Sequence, residues 1–146
     1  MTEKGCSNLC LPQAGVVINP VSANGSTAKR WPEIAAALDK AGLSYRYAFT
    51  ERPEQATELT SSFIKEGCSL IISVGGDGTA NEVVNGFFEE GSLINKDVAV
   101  AFLSTGTGRD LSRTIGIAPD FDQAIAQIVQ NDSKQVDVGK VFYESE

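Results

Sequence analysis

The chain has 146 residues, enough for one domain with a real core, and its 42% hydrophobic and 21% charged residues are those of a globular protein. A net charge of −7 argues against nucleic acid as a partner and sets an anionic membrane against the average surface. The sequence has no histidine, which excludes a Ser-His-Asp triad, a His-ligated zinc and histidine general-base chemistry within the chain.

Residues 1–13 are polar apart from Leu9-Cys10-Leu11 and lack the apolar stretch of a signal peptide, so they read as a flexible leader. No run approaches the length of a transmembrane helix. The three cysteines, Cys6, Cys10 and Cys68, form no CxxC pair, and no further thiol or imidazole completes a metal site around Cys6 and Cys10. Reduced thiols and a cytoplasmic location fit this pattern.

The apolar run Ala14–Asn19 predicts a buried first strand ending at Pro20, and Val21–Gly25 is a loop of small residues. A helix follows with Trp31, Ile34, Ala35, Leu38 and Ala41 on one face; Pro32 is expected in its first turn and Gly42 at its end. Tyr45–Thr50 is the second strand. Pro53-Glu54 opens a helix whose apolar face is Ala56, Leu59, Phe63 and Ile64, and Gly67 stops it. Ser69–Val74 is the third strand, and behind a glycine turn comes a helix burying Ala80, Val83, Val84 and Phe87. Val98–Leu103 is the fourth strand, followed by the loop Ser104–Gly108 and a short helix over Arg109–Ile115. Pro119 opens a helix carrying Phe121, Ala124, Ile125, Ile128 and Val129, and Gln135–Phe142 alternates enough to predict a closing strand. Continuous apolar strands separated by amphipathic helices predict a parallel α/β sheet.

In such sheets ligands bind beyond the carboxyl ends of the strands, where the loops after strands one, three and four emerge. All three are rich in Gly, Ser, Thr and Asn. The most informative is Gly75-Gly76-Asp77-Gly78-Thr79, a strand-to-helix turn whose bare backbone admits a phosphate to the amide N–H groups, with the positive end of a helix behind it. Asp77 either shapes that turn or holds Mg²⁺ near transferring phosphates. Thr79-Ala80-Asn81-Glu82 fits a capping box, and equally places a Thr hydroxyl on phosphate with Asn81 or Glu82 near nucleotide or metal. Asn19, Ser22 and Asn24 are turn formers or ligand groups, and Thr107 and Asp110 are helix caps or ligand groups. Cys68 and Trp31 belong to the core. The first loop has no lysine and is not a Walker-type loop.

Gly75–Thr79 followed by Asn81-Glu82-Val83-Val84-Asn85-Gly86 closely resembles the glycine motif of the diacylglycerol kinase catalytic domain, a superfamily that includes bacterial soluble lipid kinases, sphingosine kinases and ceramide kinases. Asn19-Pro20-Val21-Ser22 resembles that family's Asn-Pro-x-Ser-Gly loop, and Gly106-Thr107-Gly108-Arg109-Asp110-Leu111 its Gly-Thr-x-Asn-Asp-Phe segment. Val136-Asp137-Val138-Gly139 is similar to the strand leading out of the nucleotide-binding half. The resemblance covers residues 14–142. It implies a three-layer, parallel-sheet Rossmann-like domain of the NAD kinase/diacylglycerol kinase type. It also implies an ATP-dependent, Mg²⁺-requiring lipid kinase, with nucleotide contacts at Asn19, Pro20, Ser22, Thr50, Gly76, Asp77, Gly78, Thr79, Asn81, Glu82 and Thr107, and a magnesium network at Asp77 and Asp110. This chain departs from the family pattern at Ala23 (a loop glycine), Ser104 (often Pro) and Arg109 (often Asn), with Gly25 expected to compensate at the first.

Family members continue into a mostly β domain that holds the lipid and supplies the general base, so the resemblance implies no catalytic base here and little turnover by these residues alone. It further implies ATP or ADP as partner, a lipid acceptor through the other domain, transient peripheral membrane contact and no nucleic acid; a homodimer is allowed. An NAD-kinase-like or phosphofructokinase-like phosphotransferase shares the Gly-Gly-Asp-Gly turn, and a non-catalytic nucleotide-binding module is the alternative outside enzymes. Asn81–Gly86 favours the lipid kinases.

Overall fold

A computed structural model describes residues 13–130 and 133–142 of the chain. The proposed leader lies almost wholly outside the described residues. Four parallel strands form the sheet in the order β2-β1-β3-β6: β1 (Ala14–Ile18), β2 (Tyr45–Phe49), β3 (Leu70–Gly75) and β6 (Ala99–Ser104). Every residue of β1 and β3 is buried, which is why their sequences read as unbroken apolar runs rather than alternating ones.

Helices cover both faces. α1 (Ser26–Lys40) and α5 (Phe121–Val129) pack Trp31, Ile34, Leu38, Phe121, Ala124 and Ile125 against Val16, Ile18, Ile72, Val74 and Leu103. On the other face α2 (Gln55–Lys65) and α3 (Asp77–Asn85) bring Ala56, Phe63, Ile64 and Val83 onto Val17 and Ile71. Each fully buried Ile or Leu contributes about 1.5–3 kcal/mol, so the two apolar layers hold the sheet rigid beneath its loops. The three-layer α/β/α arrangement expected from the sequence is the one formed. β1 sends the chain to β2 on one side and β3 continues on the other, so the crevice between the ends of β1 and β3 is the switch point of the sheet.

Several expectations are corrected. Pro32 lies well inside α1, because the helix starts six residues earlier, at Ser26. The carbonyl of Ala28, which would have received the missing Pro32 N–H, is on an exposed residue and so open to solvent. A hairpin that the sequence analysis did not assign, β4 (Phe88–Glu89) with β5 (Ser92–Leu93), turns through Glu90 and Gly91, both at positive φ. The short α4 spans Asp110–Thr114. Gln135–Phe142 is not a strand: it pairs with nothing in the sheet, and Val136, Val141 and Phe142 are 65%, 82% and 82% exposed. Alternation alone does not make a strand where no neighbouring ladder receives it.

Candidate functional site

At the carboxyl edge the β1 ladder runs one residue further, with the Asn19 N–H donating to the Val74 carbonyl (3.0 Å). Its side chain then bridges the crevice: Nδ2 donates to Thr79 Oγ1 (3.1 Å), while Oδ1 accepts from the Val21 N–H (3.2 Å). Pro20 follows, and its carbonyl accepts from Ala28 N (3.4 Å), tying the loop to the first turn of α1. Ala23, Asn24 and Gly25 then take successive left-handed conformations (φ +52°, +56° and +78°). Glycine at 25 does not relieve position 23, so the alanine at the family's glycine position sits in a conformation that costs an L-residue about 1 kcal/mol.

The turn after β3 is built differently. Gly76 is the N-cap of α3, which begins at Asp77 and has no side-chain cap. The capping-box arrangement of Thr79 and Glu82 is therefore not formed. Thr79 is instead buried in the third helical position, turned toward Gly75 and bonded to Asn19. A Cβ on Gly75 would lie 2.6 Å from Thr79 Oγ1, so this glycine is required by packing. Gly76 and Gly78 are not: a Cβ on either meets nothing within 4 Å, and neither has a left-handed φ. The same holds for Gly106 and Gly108 after β6, the strand whose Ser104 is in register with Gly75. Two adjacent loops thus keep bare backbone facing open space that no part of the described chain fills.

Asp77 and Gly78 are exposed, as are Asn81, Thr107 and Asp110, while Thr50 and Glu82 are half-buried. Thr50 follows β2 and donates its N–H to the Ile18 carbonyl (2.8 Å), on the far side of β1 from the glycine turn. Two residues later Arg52 donates to Glu58 (2.6 Å), and that bond holds its pKa above the ordinary value. The Glu82 carbonyl accepts from Thr57 Oγ1 (2.8 Å), anchoring α3 to α2. Among the described residues the Asp110 carboxylate has only a 3.9 Å approach from Arg113, exposed on both sides and worth little. Gly75, Gly76, Asp77, Ser104, Leu111 and Ser112 line one shallow depression, which brings the start of α4, next to Asp110, to the same rim as Asp77. Ser104 Oγ is buried there with no partner among the described residues. No group of three or more acidic or cysteine side chains gathers as a metal cage among the described residues.

Two residues escaped the sequence analysis. Thr27 and Thr105 are buried at this edge with their hydroxyl oxygens 2.5 Å apart, and Ser22 Oγ lies 2.5 Å from that of Thr27. Each threonine reads in the sequence as an ordinary loop or helix-start residue, and only the packing of α1 against the loop after β6 brings them together.

Comparison with known proteins shows what the chain as a whole is similar to. The family model for the diacylglycerol kinase catalytic domain matches residues 13–141. The chain is 30% identical over 129 residues to a diacylglycerol kinase of Staphylococcus carnosus and 32% identical over 129 residues to one of Staphylococcus aureus. These alignments cover 88% of this chain but only 41% and 40% of those proteins, so the chain spans about two fifths of the curated relatives it matches. The crystal structure of a diacylglycerol kinase from Bacillus anthracis superposes with a TM-score of 0.68 at 26% identity, over 84% of this chain and 43% of that one.

Proposed function

The chain belongs to the diacylglycerol kinase catalytic-domain family, and from that premise we propose that it is the nucleotide-binding part of an ATP-dependent lipid kinase, which transfers the ATP γ-phosphate to a lipid hydroxyl. The observation that carries this reading is the set of bare glycines at 76, 78, 106 and 108, which the fold does not need and which a phosphate chain does. The first turn of α3 adds the backbone N–H groups of Asp77, Gly78 and Thr79, which no side chain caps. Asn19 fixes Thr79, and in this reading Asn81, Glu82 and Thr107 contact the nucleotide. Pro20, Ser22 and Thr50 are proposed to meet the nucleotide further along the sheet edge, on the β1 and β2 side.

Two exposed carboxylates, Asp77 and Asp110, have no strong partner among the described residues, and their oxygens are a set that fits Mg²⁺. These residues would hold the ion jointly with phosphate oxygens, which suits the lack of a closed cage. Bound there, Mg²⁺ supplies neutralisation of the charge that develops on the transferred phosphoryl group. The protein's own part is to hold the phosphates by backbone N–H groups and to orient the two carboxylates. The acceptor lipid and the base that takes its hydroxyl proton are proposed to lie outside these 146 residues, the family relatives being more than twice as long. The acceptor implies work at a membrane surface by peripheral contact; among the described residues no helix is long and apolar enough to cross a membrane.

Titration calorimetry of the 146-residue chain with ADP, with and without Mg²⁺, tests the site. Asp77→Ala is expected to weaken Mg·ADP binding at least about tenfold and to remove most of the Mg²⁺ dependence. Equal binding by parent and variant would place the site elsewhere.

A further inference from the structure

We propose that Thr27 and Thr105 are positioning residues for Ser22, fixing and polarising its hydroxyl for a phosphate oxygen of the ligand. The proposal rests on the nucleotide reading above and deepens it.

Three hydroxyls and one carbonyl form a chain across the edge of the sheet. Thr105 Oγ1 and Thr27 Oγ1 are 2.5 Å apart, Thr27 Oγ1 and Ser22 Oγ are 2.5 Å apart, and Ser22 Oγ donates to the Asn19 carbonyl at 2.8 Å. Each hydroxyl owns one proton. The carbonyl only accepts, so the Ser22 proton is committed to it. Thr27 Oγ1 has two acceptors for its proton, Ser22 Oγ at 2.5 Å and the Ser22 carbonyl at 3.1 Å, and the shorter contact takes the larger share. The Thr27–Thr105 contact holds the Thr105 proton. The order Thr105 to Thr27 to Ser22 to Asn19 places a proton in each of the three shortest contacts. Hydrogen bonds aligned head to tail polarise one another, so Ser22 at the end of the row is a stronger donor than a lone serine.

Ser22 has somewhere to send that proton. The Asn19 carbonyl also accepts from the Ser22 N–H at 3.3 Å, so it keeps a partner if the hydroxyl turns away. A phosphate oxygen entering beside the loop takes the Ser22 hydrogen bond, the proton staying on Ser22, while Thr27 continues to donate into Ser22 Oγ. Thr27 and Thr105 are 0% and 7% exposed and do not reach the ligand themselves. Valine would fill the same volumes, so packing does not require these hydroxyls.

The test is a double-mutant cycle on the 146-residue chain. Calorimetry with Mg·ADP and an NMR titration with adenosine are run on the parent, Ser22→Ala, Thr105→Val, Thr105→Ser and Ser22→Ala/Thr105→Val. Expected are about tenfold weaker Mg·ADP binding for Ser22→Ala and about fivefold for Thr105→Val, with adenosine affinity unchanged and Thr105→Ser within about twofold of the parent. The double variant should be no weaker than Ser22→Ala. Effects that multiply to about fiftyfold, a Thr105→Val chain that binds as the parent does, or an equal loss for adenosine would each overturn the proposal. If Thr105→Val does not fold, Thr27→Val enters the same cycle. A parent chain that binds no Mg·ADP at all removes the nucleotide reading itself and this proposal with it, whereas a binding parent with independent variants removes this proposal alone.

Discussion

The loops after β1 and β3 face each other across one crevice and are built by opposite means. After β1 the chain is tied by side chains: Asn19, Ser22 and Thr27 bond to one another's neighbourhood, and three successive left-handed residues bend the backbone back into α1. After β3 the backbone does everything. Gly76 enters α3 directly, no side chain caps the helix, and the glycines at 76 and 78 meet open space. One loop offers fixed hydroxyl and amide groups; the other offers uncovered N–H groups that a large anion can approach. Among the described residues only the Asn19–Thr79 hydrogen bond joins them by side chains. A phosphate site needs both, a rigid wall and a bare floor.

That contrast can be broken in order of expected effect. Gly76→Val should abolish most nucleotide binding, by about a hundredfold or more, because its side chain would occupy the phosphate's approach while its backbone (φ −96°, ψ −171°) already suits valine. Thermal unfolding should stay near that of the parent; a large drop would mean that the glycine serves the fold. Gly78→Ala should weaken Mg·ADP binding about tenfold and raise stability by about 0.5–1 kcal/mol, since alanine favours the helix that glycine resists. Denaturant titration and calorimetry read the two signs separately. Thr79→Val should cost about 1 kcal/mol in a denaturant titration, by cutting the one side-chain bridge between the loops and leaving the Asn19 amide short of a partner. Ala23→Gly, the smallest change, should raise stability by up to about 1 kcal/mol by relieving the left-handed alanine. A loss of stability there would show that the β1 loop is not strained where its φ says it is.

The sheet was legible because strands buried on both faces and helices buried on one have different periodicities. Val16, Val17 and Ile18 could only be a central strand, and Trp31, Ile34 and Leu38 only a helix face. The start of α3 was less legible. A Thr-x-x-Glu pattern signals a cap, but Thr79 found a better partner in Asn19, a residue sixty positions away that no local pattern reveals. The β4–β5 hairpin is two residues per strand, too short to show alternation, although Glu90-Gly91 is a turn signal in retrospect. Gln135–Phe142 shows the reverse error, a strand pattern without a partner strand. At the site, glycine and carboxylate chemistry was visible in the sequence, whereas the pairing of Thr27 with Thr105 is made by tertiary packing and leaves no local signature.

The central claim is that bare backbone on two neighbouring loops receives the phosphates. The direct measurement is an amide NMR titration of the ¹⁵N-labelled chain with Mg·ADP, following the Gly76, Gly78, Gly106 and Gly108 signals against those of Gly86 and Gly91. The account predicts that the first four shift together and saturate on one binding curve, while Gly86, packed against Thr57 and Thr60, and Gly91 in the β4–β5 hairpin turn hold still. Saturable binding that moves the hairpin and leaves the glycines at 76 and 78 unmoved would contradict it.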